Sequence, residues 1–151
     1  MLNKTSTLED FKVLSPKLTE KIPYLKMLVL FGSRATGKTH AKSDWDFAAL
    51  YDEKLREESC RDRGFAWFEV PGVIGQVFSL NSDEIDVVEL NRASPLIAHF
   101  VARDGKLIYE KEPGEFDKFK QKALMSDVEM QALSHNLRQS IDEFLKEWGL
   151  V

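Results

Sequence analysis

Apolar residues along this chain follow two kinds of pattern, which predict alternating helices and strands. Helical spacing extends over residues 8–22, where Pro16 predicts a kink or a restart with Ser15 as the new cap. Further helices are predicted for most of 65–78, for 95–103 and for a long tail at about 114–148. Uninterrupted apolar runs, typical of buried strands, predict strands at 26–31, 44–51, 85–90 and 106–109. This order predicts an α/β fold, with helices around a small mixed β-sheet.

No repeat, low-complexity tract or linker interrupts the pattern, so a single domain over 1–151 is expected. The helical tail carries one apolar stripe. Two interpretations of that stripe stay open. It can cover the sheet, or its distal part, Leu137 to Trp148, can extend past the core and dock a partner.

The composition is typical of a soluble globular protein and argues against several functional classes. Hydrophobic residues make up 43% of the chain and charged residues 30%. No apolar stretch approaches the roughly 18 residues of a membrane span. Cys60 is the single cysteine, so no internal disulfide is possible and a cytoplasmic location is the simplest expectation. The net charge of −4 argues against stable nucleic-acid binding but not against a nucleotide.

Candidate chemistry begins where the first two strands are joined. Gly32 and Ser33 directly follow the first apolar run, and Asp44 and Asp46 come after ten intervening residues, at the start of the second. Two carboxylates at i and i+2 of a strand point to the same face, where they can bind a divalent metal ion. A Gly-Ser turn that enters a short helix offers backbone N–H groups to phosphate. Together these features predict chemistry on a nucleoside triphosphate.

A third carboxylate, Asp86, lies in the otherwise apolar third strand. An unpaired buried carboxylate is costly, which suggests that it shares metal with Asp44 and Asp46. Three carboxylates and phosphate oxygens could hold two Mg²⁺ ions about 3.5–4 Å apart, with Asp86 as the general base. The alternative is structural: Asp44 in a turn, Asp46 on a solvated strand position and Asp86 exposed at a sheet edge.

At this point the chain resembles the minimal nucleotidyltransferases, the MNT group of the DNA polymerase β-like superfamily. The matching segments are LFGSRATG at 30–37, SDWDFA at 43–48, DVVEL at 86–90 and DGKLIYE at 104–110. The resemblance extends over about 20–150, and the first two motifs are specific in combination. It implies a nucleotidyltransferase fold and transfer of a nucleotidyl group, with attack on the α-phosphorus and loss of pyrophosphate.

The resemblance also implies roles for the residues that match. Ser33 would contact the terminal phosphates of ATP, and Gly32 would allow their close approach. Asp44 and Asp46 would be metal ligands shared with those phosphates. Asp86 would be the third metal ligand and would activate the acceptor hydroxyl.

This chain departs from the family pattern at Thr36, where many relatives carry arginine. The missing phosphate-side cation can be supplied by Arg34, Lys38 or Lys42. We expect Gly32, Ser33, Arg34, Lys42 and Ser43 to form the nucleotide-binding set. The alternative for the three basic residues is a solvated loop.

Two further residue types bear on the site. Trp45 alternates with the two aspartates and is expected in the core, and His99, inside an apolar helix, is expected to be structural. Phe65, Trp67 and Phe68 could stack an adenine base, although core packing is the favoured interpretation.

Small MNT proteins are similar to antitoxins of HEPN/MNT toxin–antitoxin pairs. There the MNT protein transfers AMP from ATP to a tyrosine hydroxyl of the HEPN ribonuclease toxin. The resemblance therefore implies a Mg²⁺-dependent protein adenylyltransferase whose partner is a HEPN toxin encoded by a neighbouring gene, with no membrane partner. Two alternatives remain: an antitoxin that neutralises by contact with little or no catalysis, and a nucleotidyltransferase acting on a small molecule or an RNA end.

Overall fold

The computed structural model describes residues 8–37, 44–61, 70–147 and 149. The helices in this part of the chain are α1 (Leu8–Leu14), α2 (Pro16–Lys21), α3 (Ser33–Thr36), α4 (Glu53–Arg61), α5 (Val70–Phe78), α6 (Pro95–Asp104), α7 (Glu115–Ala123) and α8 (Asp127–Glu147). The strands are β1 (Leu25–Phe31), β2 (Trp45–Tyr51), β3 (Ile85–Glu89) and β4 (Lys106–Glu110). Short 3-10 turns at Ser82–Glu84 and Leu90–Arg92 flank β3.

These strands form one mixed sheet in the order β3-β2-β1-β4. The central strand β1 is antiparallel to both β2 and β4, whereas β2 and β3 are parallel. A parallel pair needs a crossover connection, and the stretch containing α4 and α5 supplies it between β2 and β3. The predicted α/β fold with a small mixed sheet is therefore confirmed.

Each face of the sheet is covered by a separate apolar core. The α1/α5 core packs Phe11, Phe78 and Ile74 against Phe47 of β2. The α6/α7 core, on the other face, consists of Met27, Val29, Ala48, Leu90, Val101 and Phe116. Strand alternation explains the division, because Phe47 and Ala48 are neighbours in β2 and point to opposite faces.

Several predicted boundaries differ from the structure. The restart at Pro16 is confirmed, but Ser15 does not cap α2 with its side chain; its hydroxyl donates to the Lys12 carbonyl at 2.9 Å instead. Strand β2 begins at Trp45, one residue after the predicted start, so Asp44 precedes the strand.

The predicted tail at about 114–148 is divided into two helices, and the long C-terminal helix is α8. The break follows from two sets of hydrogen bonds. The Met125 N–H donates to Nδ1 of the buried His99 at 3.0 Å. Ser126 and Glu129 form a reciprocal capping box, in which each backbone N–H donates to the other side chain at 3.2 Å.

His99 therefore has the structural role that its apolar helix indicated, and its removal should be measurable. We expect His99→Ala to lower the free energy of unfolding by about 1–2 kcal/mol, because the Met125 N–H loses its acceptor and a buried side chain is lost. Urea denaturation followed by circular dichroism measures this. The exposed His135→Ala should change stability by no more than about 0.5 kcal/mol, and equal effects of the two variants would contradict the role of His99.

Candidate active site

The register of two parallel strands brings two of the three candidate carboxylates together. Asp46 of β2 and Asp86 of β3 are direct Cα partners. Partners in register on adjacent strands point to the same face of the sheet. That face is the one covered by α6 and α7, since the next residue in β2 on the same side is Ala48. Asp44 lies just before β2 and is exposed.

The electrostatic environment of Asp46 includes both of the other candidate carboxylates. The pKa of Asp46 is raised, chiefly by burial, then by the negative charge of Asp86, then by that of Asp44. Within the described residues, no three acidic, histidine or cysteine side chains converge closely enough to form a complete metal site by themselves. The negative charges of Asp86 and Asp44 each repel the Asp46 carboxylate. A cluster of carboxylate oxygens with this repulsion fits a hard divalent cation that takes its remaining ligands from phosphate and water.

Gly32 is in van der Waals contact range of the Asp46 carboxylate. The residue before it, Phe31, is the Cα partner of Asp46 across β1 and β2. Gly32 has φ of 76°, and a Cβ added there would lie 2.4 Å from Asp46 Oδ2. Only glycine allows both the left-handed conformation and this approach. The approach of phosphate at Gly32 stays a prediction, and the group that lies against Gly32 in the structure is the Asp46 carboxylate.

The turn after Gly32 is held by its own backbone. Helix α3 is a single turn, in which the amides of Ala35 and Thr36 donate to the Gly32 carbonyl at 3.0 and 3.2 Å. The helix ends at Gly37, which has φ of 82°. Ser33 is therefore the first residue of this turn and directly follows Gly32 at the end of β1.

Arg34 and Trp45 form a contact that the sequence analysis did not anticipate. The guanidinium carbon of Arg34 lies 4.1 Å from the centroid of the Trp45 ring. Trp45 packs on the α1/α5 core, as expected, although it is half-buried rather than enclosed. The possible signal in the sequence was the position of an arginine directly after the Gly-Ser pair and of a tryptophan between the two aspartates.

A second unanticipated contact secures the β2–β3 register at the far end of the strands. The Asn91 side chain accepts from the Tyr51 N–H and donates to the Tyr51 carbonyl, both at 2.9 Å. Nearby, Arg56 forms an ion pair with Glu89 of β3 and lies over the Tyr51 ring. These contacts help to keep Asp46 opposite Asp86.

Some expected site residues lie outside the described residues. Lys42 and Ser43, and with them Lys38, fall in 38–43. The aromatic residues Phe65, Trp67 and Phe68, considered for base stacking, fall in 62–69.

Comparison with known proteins identifies the family. A family model described as "Polymerase beta, Nucleotidyltransferase" matches residues 14–114. The chain belongs to this nucleotidyltransferase family. It is therefore a nucleotidyltransferase, and members of this family generally use ATP and a divalent metal ion.

Two curated relatives are similar in sequence. "Protein adenylyltransferase MntA" of Aphanizomenon flos-aquae is 51% identical over 99% of this chain and 100% of its own length. A protein of the same name from Shewanella oneidensis is 32% identical over 61% of this chain and 59% of its own length.

Solved structures share the nucleotidyltransferase fold. A crystal structure of a toxin–antitoxin with AMP-PNP matches with a TM-score of 0.57 and 24% identity, over 89% of this chain and 98% of the other. A structure of tri-AMPylated Shewanella oneidensis HEPN toxin in complex with MNT antitoxin matches with a TM-score of 0.55 and 21% identity, over 93% of this chain and 99% of the other. At these identities the likeness concerns the fold. Among the helices described for this chain, none combines the length and hydropathy required to cross a bilayer.

Proposed function

We propose that this protein transfers AMP from ATP to a tyrosine hydroxyl of a partner HEPN ribonuclease toxin and thereby acts as the antitoxin. The observation that carries the proposal is the pairing of Asp46 with Asp86 on adjacent parallel strands, beside the Gly32 turn. The 51% identical relative named as a protein adenylyltransferase supports protein as the acceptor. We propose that the whole of 1–151 acts as one minimal nucleotidyltransferase domain.

The proposed roles follow from position. Asp44, Asp46 and Asp86 would hold two Mg²⁺ ions, which when bound neutralise phosphate charge and favour ionisation of the acceptor hydroxyl. Asp86, exposed at the outer strand, would accept the proton of the tyrosine hydroxyl as its oxygen bonds to the α-phosphorus. The bond from the α-phosphorus to the bridging oxygen then breaks, and pyrophosphate leaves. Holding these groups in line and compensating their charge supplies the rate enhancement.

The nucleotide would lie along the turn between β1 and β2. Ser33 would donate to the terminal phosphates from the end of β1. Lys42 and Ser43, which directly precede Asp44 in the sequence, would add a cation and a hydroxyl. Arg34 belongs to the same turn, with its guanidinium on Trp45.

The surface proposed for the partner is the apolar stripe of α8. Helix α7 packs on the sheet through Phe116, whereas α8 has at most sparse contacts with the other described elements. The sparse contacts of α8 favour the interpretation in which its distal part docks a partner. Leu137 and Ile141, one helical turn apart on this stripe, are 49% and 50% exposed, so they offer apolar surface to a partner protein.

Charge introduced into this stripe should separate the proteins. We expect the pair Leu137→Asp and Ile141→Asp to weaken the complex about 10- to 100-fold, because buried apolar contacts would be replaced by carboxylates. Calorimetry with the purified partner measures this. Asn136→Asp with Gln139→Asp adds the same charge away from the stripe and should bind normally. An unchanged affinity of the first pair would exclude the stripe as the interface.

The function itself is tested with the product of the adjacent gene. The purified partner is incubated with this protein, ATP and Mg²⁺, and intact mass spectrometry counts the AMP groups added. Mutation of each partner tyrosine to phenylalanine then identifies the acceptor. A folded, partner-bound protein that adds no AMP would reject protein adenylylation and leave neutralisation by contact, for which the exposed α8 stripe is the favouring observation.

A further inference from the structure

A cation–π contact joins the two halves of the candidate active site. Arg34 directly follows Ser33 in the turn expected to receive phosphate, and Trp45 lies between Asp44 and Asp46. The guanidinium carbon is 4.1 Å from the ring centroid, well within the range of an attractive cation–π contact. One side-chain contact therefore links the phosphate side of the site to the carboxylate side.

Trp45 is a rigid platform for this contact because the core holds its ring. Its centroid lies 5.3 Å from that of Phe11 in an edge-on arrangement and 6.5 Å from that of Phe47 in a stacked one. Phe11 and Phe47 are both fully buried. A ring packed against such neighbours has little freedom to move. Trp45 therefore fixes the position of the Arg34 guanidinium relative to the sheet.

The Trp45 ring and the Asp46 and Asp86 carboxylates lie on opposite faces of the sheet. Neighbouring residues of a strand point to opposite faces, so Trp45 and Asp46 diverge. The guanidinium on Trp45 lies on the α1/α5 side, while the Asp46 and Asp86 carboxylates lie on the α6/α7 side.

We propose that Arg34 is a positioning residue that acts through Trp45, holding the Gly32-Ser33 turn in a fixed relation to Asp44 and Asp46. This inference rests on the proposed function, because it concerns alignment of the triphosphate with the carboxylates. Such alignment affects the rate of the bond-making step more than the affinity for ATP.

A double-mutant cycle tests the coupling. Arg34→Met and Trp45→Leu should each lower kcat for AMP transfer about tenfold, with the KM for ATP changed less than about threefold. The double variant should also lose about tenfold, since both changes remove the same contact. Losses that multiply to about a hundredfold would overturn the proposal. So would a raised KM in Arg34→Met with Trp45→Leu unaffected, which indicates direct phosphate binding.

Hydrogen exchange gives a second readout that needs neither ATP nor an acceptor. In both single variants the amides of 33–37 should exchange about tenfold faster, while those of β1 and β2 stay protected. Lys120→Met is the matched control, because it removes a cation–π contact on α7, where Nζ lies 4.6 Å from the Phe116 centroid. Its exchange at 33–37 should equal that of the wild type.

The exchange result distinguishes failure of this inference from failure of the proposed function. Suppose that the wild type adds no AMP to its partner but the amides of 33–37 exchange faster in Arg34→Met. The positioning role of Arg34 is then supported, and the proposed reaction is rejected. If Trp45→Leu does not fold, Arg34→Met decides alone, because its side chain lies outside the core. Unchanged exchange at 33–37 in that variant would overturn the positioning role.

Discussion

Asp46→Asn is expected to abolish AMP transfer while the complex with the partner still forms. The substitution removes the carboxylate that faces Asp86 across the parallel strands and lies against Gly32. Loss of a preorganised charge at this position should lower kcat by about a thousandfold or more. Transfer is measured by intact mass of the partner, and complex formation by size-exclusion chromatography.

The pKa of Asp46 predicts whether Asp46→Asn raises or lowers the free energy of unfolding. That pKa is raised in the folded protein, first by burial and then by Asp86 and Asp44. Because the folded protein binds this proton more tightly than the unfolded chain does, the protonated carboxyl of Asp46 favours folding below pH 3.8, the ordinary aspartate pKa. That contribution to the free energy of unfolding is lost as the pH rises through the folded-state pKa. At neutral pH and without divalent metal, Asp46→Asn should therefore be at least as stable as the wild type, and the difference should vanish in acid.

The same variant separates the two classes of antitoxin. Asp142→Asn is the control, because it makes the same charge change on the exposed part of α8 and should keep full activity. If Asp46→Asn still neutralises the toxin in cells, contact alone suffices and catalysis is dispensable. If neutralisation is lost while the complex persists, AMP transfer is required.

Gly32→Ala should have the second large effect. The added methyl carbon would lie 2.4 Å from Asp46 Oδ2, and φ of 76° disfavours any side chain. The carboxylate, the turn or both must shift, and displacement of about 1 Å in an active site costs about a hundredfold in rate. Steady-state kinetics of AMP transfer with saturating ATP measure the loss.

Gly37→Ala provides a matched comparison for that effect. Gly37 also has a positive φ, 82°, but a Cβ there would meet no atom within 4 Å. Gly37→Ala should therefore be destabilised by backbone strain of about 1 kcal/mol without displacing Asp46. Equal kinetic losses in the two variants would mean that strain in the turn, rather than contact with the carboxylate, accounts for the Gly32 effect.

Local signals predicted much of the fold. The apolar run of β1 and the Ser94-Pro95 start of α6 needed no tertiary information, and the Ser94 hydroxyl accepts from the Ile97 N–H as a cap should. The division of the tail was also present locally, since Ser126 and Glu129 have capping-box spacing, but the continuous apolar stripe concealed it. A helical pattern of apolar residues does not reveal a break between two helices, here α7 and α8, when each helix has its own apolar face.

The candidate site was predictable as a set of residues but not as an arrangement. Glycine, serine and the aspartates were identified by spacing and by resemblance to a family. The contact of Gly32 with Asp46 and the stacking of Arg34 on Trp45 were not, because each joins segments through the packing of β1, β2 and α1. The close approach of phosphate at Gly32 stays a prediction, and the packing against the Asp46 carboxylate is an additional constraint that only the structure supplies.

The amino-acid sequence by itself determined which side chains carry charge, which runs form strands and where glycine is needed. Tertiary structure decided that β3 lies parallel to β2 with Asp86 opposite Asp46. It also decided that α8 has sparse contacts with the other described elements and exposes Leu137 and Ile141. The reason is physical. Strand formation and helix capping depend on neighbours a few residues away, whereas the register of a parallel pair is set across a long crossover by the packing of both faces of the sheet.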